Sequence, residues 1–306
     1  MIPCPRLLPL LLCLISLSLH GQNQVPQLTI QSVEVDAAAQ TVRLTYDLSD
    51  AEETELEVFL RAAPAGSPNF NIKAEQVTGD IGFPVAPGNG LQVTWNYAGE
   101  IGSSDSYDFK LIADDRYEIP IQEIVAQVDS QLLKERLTNI AGIRHYITNS
   151  GNRNRCRDTL EQSFLQYGLE AYRQHFPILS TTGQNIIGNH WGQVDSDTVI
   201  IIDGHYDTVS DSPGADDNGT ATVGVLEAAR ILAPYRFRKS LRFIGFDFEE
   251  TGLDGSMYYV EHLSDAETIE GALNLEMIGF YSDAPNSQDF PTGFELVFPE
   301  AAAAVQ

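Results

Sequence analysis

From Leu28 to about Tyr117, apolar and polar positions alternate along the chain. The run "VRLTYDL" puts Val42, Leu44, Tyr46 and Leu48 on one face, and "LEVFL" and "LQVTW" repeat the habit. Successive side chains of a strand point to opposite faces, so this period predicts half-buried strands. Turn-forming stretches such as "APAGSPN" and "APGNG" separate the runs. Short strands punctuated in this way predict an all-β sandwich, similar to immunoglobulin or fibronectin type III modules, over residues 23–119. This part contains no cluster of acids around a histidine. Its expected role is that of a spacer or binding module.

At Ile119 to Gln122 the pattern changes. "EIVAQVDSQLLKERLTNIAGI" and "RCRDTLEQSFLQYGL" carry apolar residues at helical spacing, with Gly168 as a helix stop. Strands then alternate with helices: "NIIGNHWG", "DTVIIIDGHYD", a helix from about Gly219 to Leu232, "SLRFIGFDFEE", a short helix from about Leu253 to His262, and "GALNLEMIG". Val199 to Ile202 is continuously apolar, as in a strand buried on both faces. The pattern predicts a multidomain chain whose residues 120–306 form an α/β domain, a mixed sheet flanked by helices. The spacing of Val223, Leu226, Ala229 and Leu232 marks the buried stripe of one of those helices.

A chain of 306 residues has room for two such domains. Its 43 acidic and 18 basic residues give a formal charge of −25, which argues against nucleic acid or an anionic membrane surface as partner. At the N-terminus, Arg6, the apolar run "LLPLLLCLISLSL" and then "HGQ" read as a secretory signal peptide over residues 1–22, cut near Gly21 or Gln22. The run is shorter than the roughly 20 apolar residues of a membrane span. A secreted or periplasmic location is therefore expected, with no membrane insertion after cleavage. Cys4 and Cys13 fall in this segment without the pattern of a lipid-attachment cysteine, which leaves Cys156 alone in the mature chain. A buried, inert thiol is the expectation for it.

The chemistry-bearing residues cluster where the apolar strands stop. These clusters are His205 with Asp207, Asp216 with Asp217, Glu249 with Glu250, and Glu276. In open α/β sheets the C-terminal edge of the strands is where ligands bind. Each cluster by itself reads as a solvated acidic loop. Four of them at successive strand ends argue instead for a cation, which relieves the repulsion of crowded carboxylates. Histidine among carboxylates suits zinc or a related transition ion better than calcium or magnesium. There is no Walker phosphate loop and no G-x-S-x-G nucleophile elbow.

The stretches "GHYDT", "PGADDNGTA", "FDFEETGLDGS" and "LNLEMIG" resemble, in order and spacing, four successive motifs of the M28 family of zinc metallopeptidases, which includes secreted bacterial aminopeptidases. The resemblance covers about residues 130 to 290. It implies an α/β zinc-peptidase domain with two zinc ions and peptide or protein substrates. His205 and Glu276 would bind the first zinc, Asp217 would bridge both and Glu250 would bind the second. Asp207 would orient the imidazole, and Glu249 would be the general base. An unusual peptide bond beside the bridging aspartate, shared with Asn218, is also implied. Glu276 stands where most members have an aspartate.

The resemblance also implies a histidine downstream of "LNLEMIG" for the second zinc. The sequence has none there, since His262 precedes that strand. The expectation is that the peptidase domain is incomplete, in a fragment or a truncated product whose activity as it stands is in doubt. Two other functions compete with peptidase action: a glutaminyl-cyclase-like transferase on the same scaffold, and a non-catalytic secreted binding protein.

Overall fold

The computed structural model describes residues 24–67, 70–102, 106–280, 282 and 284. The expected signal segment and the terminal run "FPEAAAAVQ" lie outside the described residues. The chain divides into two compact units, one ending at Glu118 and the other beginning at Ile119.

The first unit contains eight described strands: β1 (Gln27–Asp36), β2 (Thr41–Ser49), β3 (Leu56–Pro64), β4 (Ile72–Lys73), β5 (Val77–Gly79), β6 (Gly82–Val85), β7 (Gly88–Asn96) and β8 (Tyr107–Asp114). They form two antiparallel sheets, one ordered β1-β2-β7-β5 and one built around β3, which pairs with β4, β6 and β8. The alternation seen in the sequence is the alternation of burial. Val42, Leu44, Tyr46 and Leu48 of β2 are buried together with Leu56, Val58 and Leu60 of β3 and with Val93 and Trp95 of β7. Residues of both sheets thus share one apolar core. Two of its large side chains have their polar tips satisfied: Tyr46 Oη donates to the Asp80 carbonyl, and Trp95 Nε1 to Glu100 Oε2 at 2.7 Å.

In the second unit the helical run after Ile119 is two helices, α1 (Ile121–Val125) and α2 (Ser130–Ile140), not one. Asp129 makes the break. Its Oδ1 accepts the amides of Gln131 and Leu132 and so caps α2. Next come α3 (Ser150–Gln166), β9 (Glu170–Ile178), β10 (Thr181–His190), β11 (Asp195–His205), α4 (Gly219–Leu232), β12 (Lys239–Phe246), α5 (Asp254–Glu261) and β13 (Thr268–Asn274). The sheet order is β13-β11-β12-β10-β9. β11 runs parallel to β12 and β13, whereas β10 is antiparallel to both β12 and β9. The sheet is therefore mixed, with helices on both faces.

The two faces alternate along β11. Ile200 and Ile202 pack against Leu160 and Phe164 of α3 and Val223 and Leu226 of α4, whereas Val199 and Ile201 join Ile187, Ile244 and Tyr259 of α5. β9 had no counterpart in the sequence pattern. It is an edge strand, and its residues Glu170, Arg173 and Gln174 blur the period. Cys156 is buried in the α3–α4 core, and burial pushes its thiol pKa up to about 12, so it is the inert thiol expected.

Register aligns the parallel strand ends: His205 lies beside Phe246, and Asp203 beside Asn274. The residues that follow β12 and β13 are thereby delivered next to His205. Because this alignment rests on the α3 and α4 core, Leu160→Ala should destabilise the second unit. Leu160 is 0% exposed, and the expected cost is about 2–5 kcal/mol. Leu165→Ala, at a residue 54% exposed on the same helix, should cost about 0.5 kcal/mol or less. Denaturant midpoints of the two variants check the contrast.

Candidate metal centre

His205 is the last residue of β11 and is 3% exposed. The strand reaches this point through Gly204, where a Cβ would come within 2.9 Å of the Ala221 methyl and 3.3 Å of the Leu275 carbonyl. Only a residue without a side chain lets α4 and the end of β13 approach so closely. On one side of the ring, Nδ1 lies 3.4 Å from Asp207 Oδ1, longer than a good N–H···O hydrogen bond. Asp207 is buried and also accepts the backbone amides of Glu249 at 3.1 Å and Glu250 at 3.3 Å. One carboxylate thus ties the end of β11 to the turn after β12.

On the other side, His205 Nε2 faces three carboxylates: Asp217 Oδ1 at 3.2 Å, Glu276 Oε2 at 3.6 Å and Glu249 Oε2 at 3.7 Å. The peptide bond between Asp217 and Asn218 is cis, the unusual bond that the motif resemblance implied. The Asn218 side chain donates to Glu276 Oε2 at 2.8 Å and to the Leu275 carbonyl at 3.0 Å, and accepts the Met277 amide at 3.3 Å. It therefore holds Glu276 against the histidine. Donor atoms of His205, Asp217 and Glu276 lie within 4.8 Å of one another, as do those of His205, Glu249 and Glu250. Tetrahedral zinc with bonds of about 2.0–2.2 Å separates its ligand atoms by about 3.3–3.6 Å. The separation from Nε2 to Glu276 falls at that spacing and the one to Asp217 lies just under it, so one N and two O donors here suit a tetrahedral ion with a position left open.

Residues 185–306 match the family model described as Peptidase family M28. The match lies within the second unit and takes in all four of the motif stretches. Among curated relatives, the aminopeptidase YwaD of Bacillus subtilis is 45% identical over 101 residues, which cover 32% of this chain and 22% of the relative. Leupeptin-inactivating enzyme 1 of Streptomyces exfoliatus is 39% identical over 116 residues, 37% of this chain and 26% of the relative. Among solved structures, a zinc aminopeptidase from Bacillus subtilis is 43% identical, covering 33% of this chain and 26% of that one, with a TM-score of 0.32. The chain spans less than half the length of these curated relatives.

All six sequence-predicted site residues lie within the M28 region. The structure gathers His205, Asp217, Glu249, Glu250 and Glu276 around one point, with Asp207 behind the imidazole. Asp211 is exposed. Asp216 accepts the Thr220 hydroxyl and the Gly279 amide, both at 2.9 Å, so it closes a turn. Sequence reasoning missed Asn218 as the residue that holds Glu276. It also missed the buried pair of Arg153 with Asp247, whose Nε–Oδ1 distance is 2.8 Å. Their partners are 58 and 94 residues away, a separation that periodicity does not reveal. Beside Glu250, Tyr146, Phe248, Arg153 and Val209 line a cavity of about 200 Å³.

Burial alone pulls the pKa of His205 down, but the carboxylates around it, Asp207 foremost and then Glu249 and Glu276, lift it to about 9. Burial raises the Glu250 and Glu276 carboxyls, and the Asp217 charge adds to it in both. Without an ion, this cluster therefore holds a proton on His205 at neutral pH. A ligand nitrogen must lose that proton before it binds metal. Apparent zinc affinity should rise with pH up to about 9, by about tenfold per unit while one proton leaves. Competition against a chromophoric chelator between pH 6.5 and 8.5 reads this slope, and a flat profile would contradict it.

Proposed function

We propose that the second unit acts as a zinc-dependent exopeptidase of the aminopeptidase type, with peptide or protein substrates. The observation that carries this reading is the set of donors at about zinc-ligand spacing around His205 Nε2, inside a region that matches the model of peptidase family M28. The zinc names carried by relatives, such as the Bacillus subtilis zinc aminopeptidase, support the choice of ion. His205, Asp217 and Glu276 would hold one ion, and Asp217 with Glu250 would face a second. We also assign the first unit to the immunoglobulin- or fibronectin-like sandwiches, as a spacer or binding module. The apolar segment before Gly21 supports a secreted or periplasmic location.

When bound, zinc supplies Lewis acidity, which polarises the scissile carbonyl and brings the pKa of water toward about 7. The remaining work falls to side chains. Glu249 is half-buried, and its Oε2 reaches the same edge of the imidazole as the ligand oxygens. From there it takes a proton from the attacking water and returns it to the departing amine. Its backbone is fixed by the bond from its amide to Asp207. Asp207 also orients the ring of His205 and stabilises positive charge on it.

Two variants separate binding from chemistry. Glu249→Gln should retain zinc and lose hydrolysis of aminoacyl-nitroanilides by roughly 10²–10⁴-fold, because the amide cannot carry the proton. His205→Ala should lose zinc outright. Zinc retained by His205→Ala would overturn the site, and full activity in Glu249→Gln would overturn the base. Product analysis distinguishes free amino acids, the expected outcome, from pyroglutamyl products of a glutaminyl-cyclase-like transferase.

A further inference from the structure

Arg144 lies outside the M28-matched region, on the loop between α2 and α3, and is 0% exposed. All of its side-chain hydrogen bonds go to backbone carbonyls. Nε donates to Tyr206 at 2.7 Å, Nη1 to Ile140, Gly142 and Pro213 at 3.0, 3.2 and 3.3 Å, and Nη2 to Gly214 at 2.8 Å. Its own amide donates to Thr208 Oγ1 at 2.9 Å. Among the described residues, no carboxylate forms an ion pair with it. A buried charge is costly unless paired, and one satisfied by dipoles alone is unusual.

The identity of those carbonyls matters more than their number. Tyr206 stands between His205 and Asp207. Pro213 and Gly214 begin the turn that ends at Asp217, and the Gly214 carbonyl also accepts the amide of Gly219, the first residue of α4. Ile140 closes α2, and the Gly142 amide returns to the Pro213 carbonyl at 2.7 Å. At Gly214, where φ is +55°, a Cβ would sit 2.9 Å from Arg144 Nη2 and 2.6 Å from the Asp217 carbonyl. The guanidinium therefore lies directly beneath the loop that carries the acids, and the charges of Asp207 and Asp217 act on it.

We propose that Arg144 is a positioning residue for the metal centre, a planar bolt that fixes the segments bearing His205, Asp207 and Asp217 relative to one another through their backbone. The inference rests on the zinc reading above. Charge and geometry pull in opposite directions here, which makes the role measurable. A nearby cation repels a metal ion, so removing it would tighten binding if charge were all that mattered. If the bolt matters, binding weakens when the fork is lost, whether or not the charge stays. Lysine retains the charge without the planar, five-donor fork.

The test is cobalt(II) binding, read by visible absorption, for the full chain and for Arg144→Lys, Arg144→Gln and Thr208→Val, with folding followed by circular dichroism. Both arginine variants should bind cobalt roughly tenfold or more weakly, a size typical of lost supporting contacts at metal sites, and with an altered ligand-field spectrum. Thr208→Val, which removes the acceptor of the Arg144 amide together with the hydroxyl's own bond to the Val209 carbonyl, should shift affinity the same way by less and decides the matter if the arginine variants do not fold. Unchanged binding in Arg144→Lys, tighter binding in Arg144→Gln, or an unaffected Thr208→Val when it alone is folded would each overturn the role. Failure of the unaltered chain to bind cobalt would overturn the zinc reading, and this inference with it.

Discussion

Like-charge repulsion governs this molecule. Asp207, Asp217, Glu249 and Glu276 each bring an oxygen within 3.2–3.7 Å of one imidazole, and Glu250 stands beside them. Such a cluster does not form by default, since each carboxylate would rather be in water. The rest of the second unit opposes that preference. The parallel strands β11, β12 and β13 end in register, the backbone amides of Glu249 and Glu250 point at Asp207, and Asp217 lies next to the start of α4, whose dipole favours a negative charge there. Arg144 adds a buried positive charge below. The negative charge that remains is met by a proton on His205 or, in its place, a metal ion.

The turn after β12 shows what holding this arrangement requires. Phe248 has φ of +58°, a left-handed conformation that costs a bulky residue about 1–3 kcal/mol. Its ring is buried, with the Arg153 guanidinium 4.4 Å from its centroid, the Tyr146 ring at 5.1 Å and the Phe176 ring at 6.1 Å. Arg153 is in turn locked to the buried Asp247. These contacts keep the backbone turned so that the next two amides reach Asp207. The strain at Phe248 and the aim of Glu249 are one feature.

What could be read from the sequence followed from proximity along the chain. The strands β2, β3 and β7 were legible because burial alternates with period two, and His205, Glu249, Glu250 and Glu276 because they sit where an apolar strand stops. Asp217 departs from that expectation, since it follows the same strand as His205 and stands directly before the start of α4. α4 was legible through its apolar stripe, although Leu232 is only partly buried, whereas Val225 and Ile231, outside the predicted stripe, are buried. Arg144, Arg153 and Asn218 carried no such mark. Arg144 bonds to carbonyls, which every residue possesses, so no side-chain pattern announces it, and its acceptors at Tyr206 and Gly214 are 62 and 70 residues away. The polar edge strand β9 was hidden for the opposite reason, since an edge needs no strict alternation of burial.

Glu276 shows how a long, flexible side chain is fixed by its surroundings. A glutamate has one more rotatable bond than an aspartate, so holding its carboxylate at one point costs more side-chain entropy. Here the carboxylate is not left to find its own position. Asn218 donates to its Oε2 and to the Leu275 carbonyl just before it, while the Asn218 carbonyl oxygen takes the Met277 amide just after it. One amide side chain thus grips the glutamate at its tip and its backbone on both sides. Asn218 is itself fully buried at the head of α4, so the longer arm is fixed by the same helix start that places Asp217. Length is converted from a source of disorder into reach, and the carboxylate arrives 3.6 Å from His205 Nε2, at the spacing that a shared ion requires.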